Sequence, residues 1–265
     1  MQGHLLHGGR NEGKAMRELE GRRVAVTGGS RGIGREICLE MARAGADVAL
    51  AYNRSADSAL AVANEIGSLG QRGFALRADF SDPAATGEFI RGAAGKLGGL
   101  DVLVHCAGIF QQNLIGDISD EEWFRVMRIN LDSAFFACRA AVPYLRESAG
   151  GGRIILFSSQ AALAGTAHGA HYAASKAGLL GLTYALSKEL GPDGITVNAI
   201  LPGRIETEML AYATPERREA WLAATPLGYL GEPRDAAGAA VFLAGERARY
   251  ITGAKINING GLLPG

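Results

Sequence analysis

The sequence predicts an α/β protein: a single-domain, doubly wound parallel sheet of about seven strands with helices on both faces. Two observations carry that prediction. Short apolar runs alternate along the chain with segments of helical periodicity, and the runs are apolar at every residue, not at every second one. The runs fall at residues 24–27, 48–51, 74–78, 102–104, 154–157, 196–200 and 255–258. Helical periodicity covers residues 35–44, 58–69, 84–97, 121–147, 172–190 and 233–244. In order, the first strand opens into the first helix through a glycine turn, and the second to fifth strands are each followed by a helix. That alternation implies parallel pairing. Parallel sheets are covered on both faces, which explains why Arg153-Ile154-Ile155-Leu156-Phe157 and Asp101-Val102-Leu103-Val104 show no polar alternation. After the sixth strand the pattern breaks. Residues 206–230 hold Pro215 and Pro226 in a short-helix pattern and form the longest insertion after any strand, as a substrate lid would.

A chain of 265 residues could be one large unit or two small ones. No Pro/Ser-rich linker, charge block or internal repeat divides it, so residues 17–265 read as one domain. Residues 1–16, with four glycines, His4 and His7, read as a flexible N-terminal extension. Hydrophobic residues at 48% and charged residues at 20% are the balance of a globular core. Lys plus Arg and Asp plus Glu both equal 27, so no global field would draw nucleic acid or an anionic membrane. No apolar window is long enough to span a bilayer. Cys38, Cys106 and Cys138 are odd in number and lack C-x-x-C spacing; a disulfide framework is excluded, and a cytoplasmic location is expected.

The first strand ends in Thr27-Gly28-Gly29-Ser30-Arg31-Gly32-Ile33-Gly34 and runs directly into a helix. Glycines there let the backbone turn tightly and approach a pyrophosphate, which the helix N-terminus then holds, as in Rossmann-type sheets. At the end of the second strand an acidic residue would bind the ribose of NAD. The chain instead reads Tyr52-Asn53-Arg54, and Arg54 with Ser30 and Arg31 could cradle a 2′-phosphate. NADP(H) is therefore expected over NAD(H). Further on, Tyr172 and Lys176 stand four apart on one helical face, where an ammonium favours the tyrosine phenolate. Ser158 and Ser159 end the fifth strand, at the carboxyl edge where such sheets bind ligands.

In combination these motifs resemble the short-chain dehydrogenase/reductase family over residues 19–261. The remaining matches are Asp79 after the third strand, Ala107-Gly108 after the fourth, Asn130 in Ile-Asn-Leu, Pro202-Gly203-Arg204-Ile205-Glu206-Thr207, and Thr252-Gly253 through Asn259-Gly260-Gly261. Ser159 precedes Tyr172 by thirteen residues. The resemblance implies that Tyr172 donates a proton to a substrate carbonyl oxygen, Ser159 polarises that oxygen, Lys176 binds the nicotinamide ribose and lowers the tyrosine pKa, and Asn130 supports a water-linked relay to Lys176. Cofactor contacts are implied at Gly28, Ser30, Arg31, Gly32, Ile33 and Gly34, at Asn53 and Arg54, and at Asp79 toward the adenine. They continue at Ala107, Gly108, Tyr172, Lys176, Pro202, Gly203 and Ile205, with Thr207 at the carboxamide.

Departures from the family pattern bear on function. His105-Cys106-Ala107-Gly108 replaces the usual Asn-Asn-Ala-Gly; His105 reads as a buried strand-end residue satisfying backbone groups and Cys106 as a packing residue. His168 and His171 are expected to border the pocket, without further ligands for a metal. The leading reading is an NADPH-dependent ketoreductase resembling 3-oxoacyl reductases, acting on a small-molecule carbonyl. Carrier-protein-dependent members place basic residues where this chain reads Gly150-Gly151-Gly152 and Pro192-Asp193-Gly194, which favours a free substrate. The alternative is an NAD-dependent alcohol or sugar dehydrogenase. By resemblance, a homotetramer is expected.

Overall fold

The computed structural model describes residues 17–211 and 213–264. The predicted extension at 1–16, with His4 and His7, lies outside them. Seven parallel strands, β1 (Arg23–Thr27), β2 (Asp47–Tyr52), β3 (Gly73–Arg77), β4 (Val102–His105), β5 (Arg153–Phe157), β6 (Thr196–Pro202) and β7 (Lys255–Ile258), pair in the order β3-β2-β1-β4-β5-β6-β7. The order reverses between β1 and β4, which opens a crevice at their carboxyl ends.

Burial on both faces accounts for the uniform apolarity of the strands. Val24 and Val26, Val48 and Leu50, Val102 and Val104, and Ile155 and Phe157 face one core, shared with α1 (Gly32–Arg43), α2 (Ala56–Ser68) and α9 (Pro233–Ala244). The intervening Ala25, Ala49, Ala51, Leu103, Ile154 and Leu156 face the other, beneath α3 (Pro83–Leu97), α5 (Ser133–Arg146) and α7 (Ala170–Glu189). Each fully buried Leu, Ile or Val contributes about 1.5–3 kcal/mol. Small alanines on α5 and α9 bring those helices close to the sheet.

The predicted helix at 121–147 is two helices. The chain forms α4 (Asp120–Met127), a π-helical turn at Arg128–Asp132, and then α5. The turn puts Asn130 in the interior, where its amide is fully hydrogen-bonded, and that exchange offsets the poorer helical geometry. A short helix, α6 (Ala161–Ala164), follows β5. After β6 come a 3-10 turn at Glu208–Leu210 and α8 (Pro215–Ala224), which starts at Pro215 behind a Thr214 cap and packs through buried Trp221.

Candidate active site

The carboxyl ends of the central strands open into a cleft of about 1080 Å³. Every residue expected to bind cofactor lines it, together with Ser159. Asn130 lies beneath, fully buried.

One wall is the glycine turn. Gly28 sits at φ +69°, a conformation that disfavours side chains, and a Cβ at Gly34 would come within 2.1 Å of the Gly28 carbonyl oxygen. The turn is thereby folded onto the start of α1. That helix has no side-chain cap and no acidic residue in its first turn, whereas α3, α4 and α8 are capped by Asp82, Ser119 and Thr214. Its free N–H groups and positive dipole end face the cleft.

Thr27 anchors this turn to β4. Its hydroxyl oxygen accepts from the Cys106 and Ala107 N–H groups, both at 3.0 Å, and lies 3.1 Å from His105 Nδ1. His105 Nε2 lies 3.2 Å from the Ser133 hydroxyl, which itself donates to the Ile129 carbonyl at 2.7 Å. Because the Ser133 proton is committed, His105 must donate from Nε2 and accept at Nδ1 from Thr27. The result is a one-directional chain from the turn to the π-helical segment. Burial, with the charge of Lys176, pushes His105 down to about 3, so the ring is neutral. His105 thus satisfies two hydroxyls and not the backbone groups expected. The adjacent Cys106 thiol is pushed up to about 12 by burial, which suits packing and not nucleophilic attack.

The opposite wall carries the acid/base candidates. Tyr172 and Lys176 occupy one face of α7, with the Lys176 ammonium 5.8 Å from the Tyr172 ring centre. Lys176 is buried and donates to the Phe157 carbonyl at 2.8 Å; burial pushes it down to about 8. Asn130 grips the β4–α4 segment through Ile109, accepting from its N–H at 2.8 Å and donating to its carbonyl at 3.0 Å, and donates to Ser175 at 3.1 Å. Gly108 passes between the two: a Cβ there would stand 3.3 Å from Lys176 Nζ and 3.4 Å from Asn130 Oδ1. The Ser158 hydroxyl is committed to the Lys176 carbonyl, to which it donates at 2.7 Å, while the Ser159 hydroxyl accepts from the Ala161 N–H at 3.1 Å.

At the far end, Asn53, Arg54 and Asp79 lie together. Hydrogen bonds from the Ser81 N–H and hydroxyl hold the Asp79 carboxyl below its ordinary range, helped by the Asn53 amide and the Arg54 charge. Arg31 reaches across the cleft to Glu208 at 3.4 Å. Pro202, Gly203, Ile205 and Thr207 form the floor after β6, with the Gly203 N–H donating to Ile258 at 2.8 Å.

The two histidines before Tyr172 do not border the cleft as expected. Successive helical residues point about 100° apart. With Tyr172 toward the cleft, His171 is buried against α4, its Nε2 2.9 Å from Glu122, which also accepts from Asn113 Nδ2 at 2.7 and 2.9 Å. His168 is exposed at φ +62°, and its carbonyl accepts from the Asn113 N–H at 2.8 Å. These ties hold the segment carrying Phe110, whose ring meets Tyr172 edge-on at 4.8 Å. Phe110, Gln112 and Arg125 line the cleft without any signal in the sequence, whereas Glu208, Met209 and Leu210 come from the segment 206–230 expected as a lid. Among the described residues no helix is long and apolar enough to cross a membrane, and no group of three His, Cys, Asp or Glu could hold a metal ion.

A family model described as enoyl-(acyl carrier protein) reductase matches residues 28–263. The chain is 40% identical over 249 residues to an L-rhamnose 1-dehydrogenase (NAD(P)(+)) of Sphingomonas sp., covering 93% of this chain and 98% of the relative. It is 40% identical over 237 residues to the 3-oxoacyl-(acyl-carrier-protein) reductase FabG of Staphylococcus aureus, covering 89% and 96%. Among solved structures, a short chain dehydrogenase from Burkholderia cenocepacia in complex with NADP matches with a TM-score of 0.88 at 38% identity, covering 92% of this chain and 99% of that one.

Proposed function

Because the chain belongs to the short-chain dehydrogenase/reductase family of oxidoreductases, we propose that it reduces the carbonyl of a small, free ketone with NADPH, Tyr172 acting as general acid. The observation that carries this reading is the meeting of Ser159, Tyr172 and Lys176 in the same cleft as the glycine turn. That cleft suits a dinucleotide. Its turn is folded where side chains would collide, and its helix N-terminus is uncapped. Bound there, a dihydronicotinamide supplies the hydride.

The chain's own residues then manage charge and protons. The Tyr172 hydroxyl gives its proton to the substrate oxygen, and the Ser159 hydroxyl donates a hydrogen bond to the same oxygen as negative charge develops. The Lys176 ammonium eases proton loss from Tyr172, and Asn130 fixes the strand-end backbone beside that amine. Ser30, Arg31 and Arg54 take the 2′-phosphate, with no carboxylate at Asn53 to favour NADH. The segment 206–230 acts as the lid, contributing Glu208, Met209 and Leu210 to the wall. The outward Phe135 on α5 and Tyr184 on α7 favour a homotetramer built on the long helices, which light scattering would test.

A carrier-linked substrate is disfavoured. The two positions that would greet an acidic carrier offer glycines, Pro192 and Asp193, and the nearby Arg146 is itself paired with Asp193 at 2.8 Å. A second reading, an NAD(P)-linked alcohol or sugar dehydrogenase with the same residues, is favoured by the match to L-rhamnose 1-dehydrogenase. A panel of free ketones, carrier-linked 3-oxoacyl substrates and aldoses, each with NADPH and NADH at equal concentration, separates the two. Tyr172→Phe is expected to abolish turnover while leaving NADPH binding intact; unchanged turnover would remove Tyr172 as the acid.

A further inference from the structure

We propose that Glu208 limits the preference for NADPH by competing, from the lid side of the cleft, for the Arg31 guanidinium that a 2′-phosphate would take. The inference rests on the reading of Arg31 as a 2′-phosphate ligand.

Arg31 is the residue immediately before α1, and Glu208 opens the 3-10 turn after β6, so 177 residues of chain separate two groups facing each other across one cleft. The Arg31 Nη1–Glu208 Oε2 distance is 3.4 Å, and neither side chain has another ion-pair partner among the described residues. Backbone placement maintains the approach. A Cβ on Gly32 would touch the Thr207 methyl at 3.6 Å, so the turn and the post-β6 segment already lie side by side. That segment is pinned from behind by the Ile205–Gly231 bridge and by the Glu206 N–H donating to the Gly231 carbonyl at 2.8 Å.

The chemistry distinguishes the two cofactors. A 2′-phosphate presents about two negative charges to Arg31, and to take that guanidinium it must first break its pairing with Glu208. NADH presents a hydroxyl there and gains little from freeing Arg31. Both side chains are more than 70% exposed, so the pair is screened and its effect is modest. An exposed pair of this kind corresponds to roughly two- to five-fold in an equilibrium constant. Glu208 thereby acts as a positioning residue for Arg31, and it tilts the protein toward accepting both cofactors.

The test is binding, not turnover. NADPH and NADH are titrated by nicotinamide fluorescence against the full chain, Glu208→Gln, Arg31→Gln and the double variant, in 50 and 500 mM salt. Glu208→Gln is expected to tighten NADPH by about two- to five-fold at low salt and to leave NADH unchanged. The gain should shrink at high salt and disappear in the Arg31→Gln background. If Arg31→Gln weakens NADPH selectively while Glu208→Gln changes neither cofactor, or both equally, Glu208 has no such role and the reading of Arg31 stands. If Arg31→Gln leaves NADPH unchanged, the reading of Arg31 itself is overturned, and this inference with it.

Discussion

Thr27→Val is the substitution for which the structure yields the sharpest number. Valine has nearly the shape of threonine, so no cavity opens, and only the hydroxyl is lost. That hydroxyl has three partners: the N–H groups of Cys106 and Ala107 at 3.0 Å and the Nδ1 of His105 at 3.1 Å. Thr27 and His105 are both fully buried, so water cannot replace it. His105 cannot rescue the site by changing tautomer, because its Nε2 proton is needed by Ser133, whose own proton goes to Ile129. Three orphaned groups at the low end of about 1–3 kcal/mol each give a loss of about 3 kcal/mol or more. For a domain of this size that lowers Tm by about 6–12 °C. The assay is thermal and urea unfolding at fixed protein concentration, with Thr27→Ser as the control that keeps the hydroxyl. A Thr27→Val loss below about 1 kcal/mol would refute the proton-ordered chain. Affinity for NADPH should fall with it, since the same hydroxyl ties the glycine turn to the end of β4.

Three further outcomes are expected. Gly34→Ala places a methyl 2.1 Å from the Gly28 carbonyl oxygen, so the turn must open; NADPH titration should show binding weakened by about tenfold or more. Lys176 is held at about 8, below its ordinary 10.5, so between those pH values the unfolded chain binds the extra proton and stability of the free protein rises with pH. The wild type should gain about 3 kcal/mol relative to Lys176→Met across that window, measured by urea unfolding from pH 7 to 10.5; parallel profiles would show that burial does not depress the amine. Glu122→Ala removes the acceptor of His171 and Asn113, and should cost about 2 kcal/mol and raise substrate KM while leaving the Kd of NADPH unchanged.

Strand positions were readable because burial on both faces leaves no polar alternation to blur them, and each predicted run overlaps an observed strand to within about two residues at either end. The periodicity over 121–147 spans two helices for a physical reason. A π-helical turn inserts one residue without changing composition, and the apolar spacing resumes on the far side. The one trace it leaves is Asn130, a polar residue inside an apolar face, whose inward position needs partners that come from Ile109 and Ser175.

The cleft divides along the same line between local and long-range order. Residues of the glycine turn and of the Tyr172–Lys176 face were legible because their geometry is set by contiguous chain: a strand, a tight turn and a helix in one case, a single helical turn in the other. The pairings of Phe110, Glu122 and Glu208 were not legible, because each acquires its neighbour from a distant segment: Phe110 from Tyr172, Glu122 from His171, Glu208 from Arg31. Such pairings depend on which helix face turns toward which loop, and that is settled by packing of the whole sheet. His171 shows how far the effect reaches. One residue from Tyr172 in sequence, it points about 100° away on the helix, and it serves the cleft only by fastening the segment that presses Phe110 against the tyrosine ring. Nearness in sequence to a reactive group therefore says little about lining the cleft. A residue three or four positions along a helix, or one brought in by a different strand, is the better candidate, and Lys176 and Ser159 meet those two descriptions.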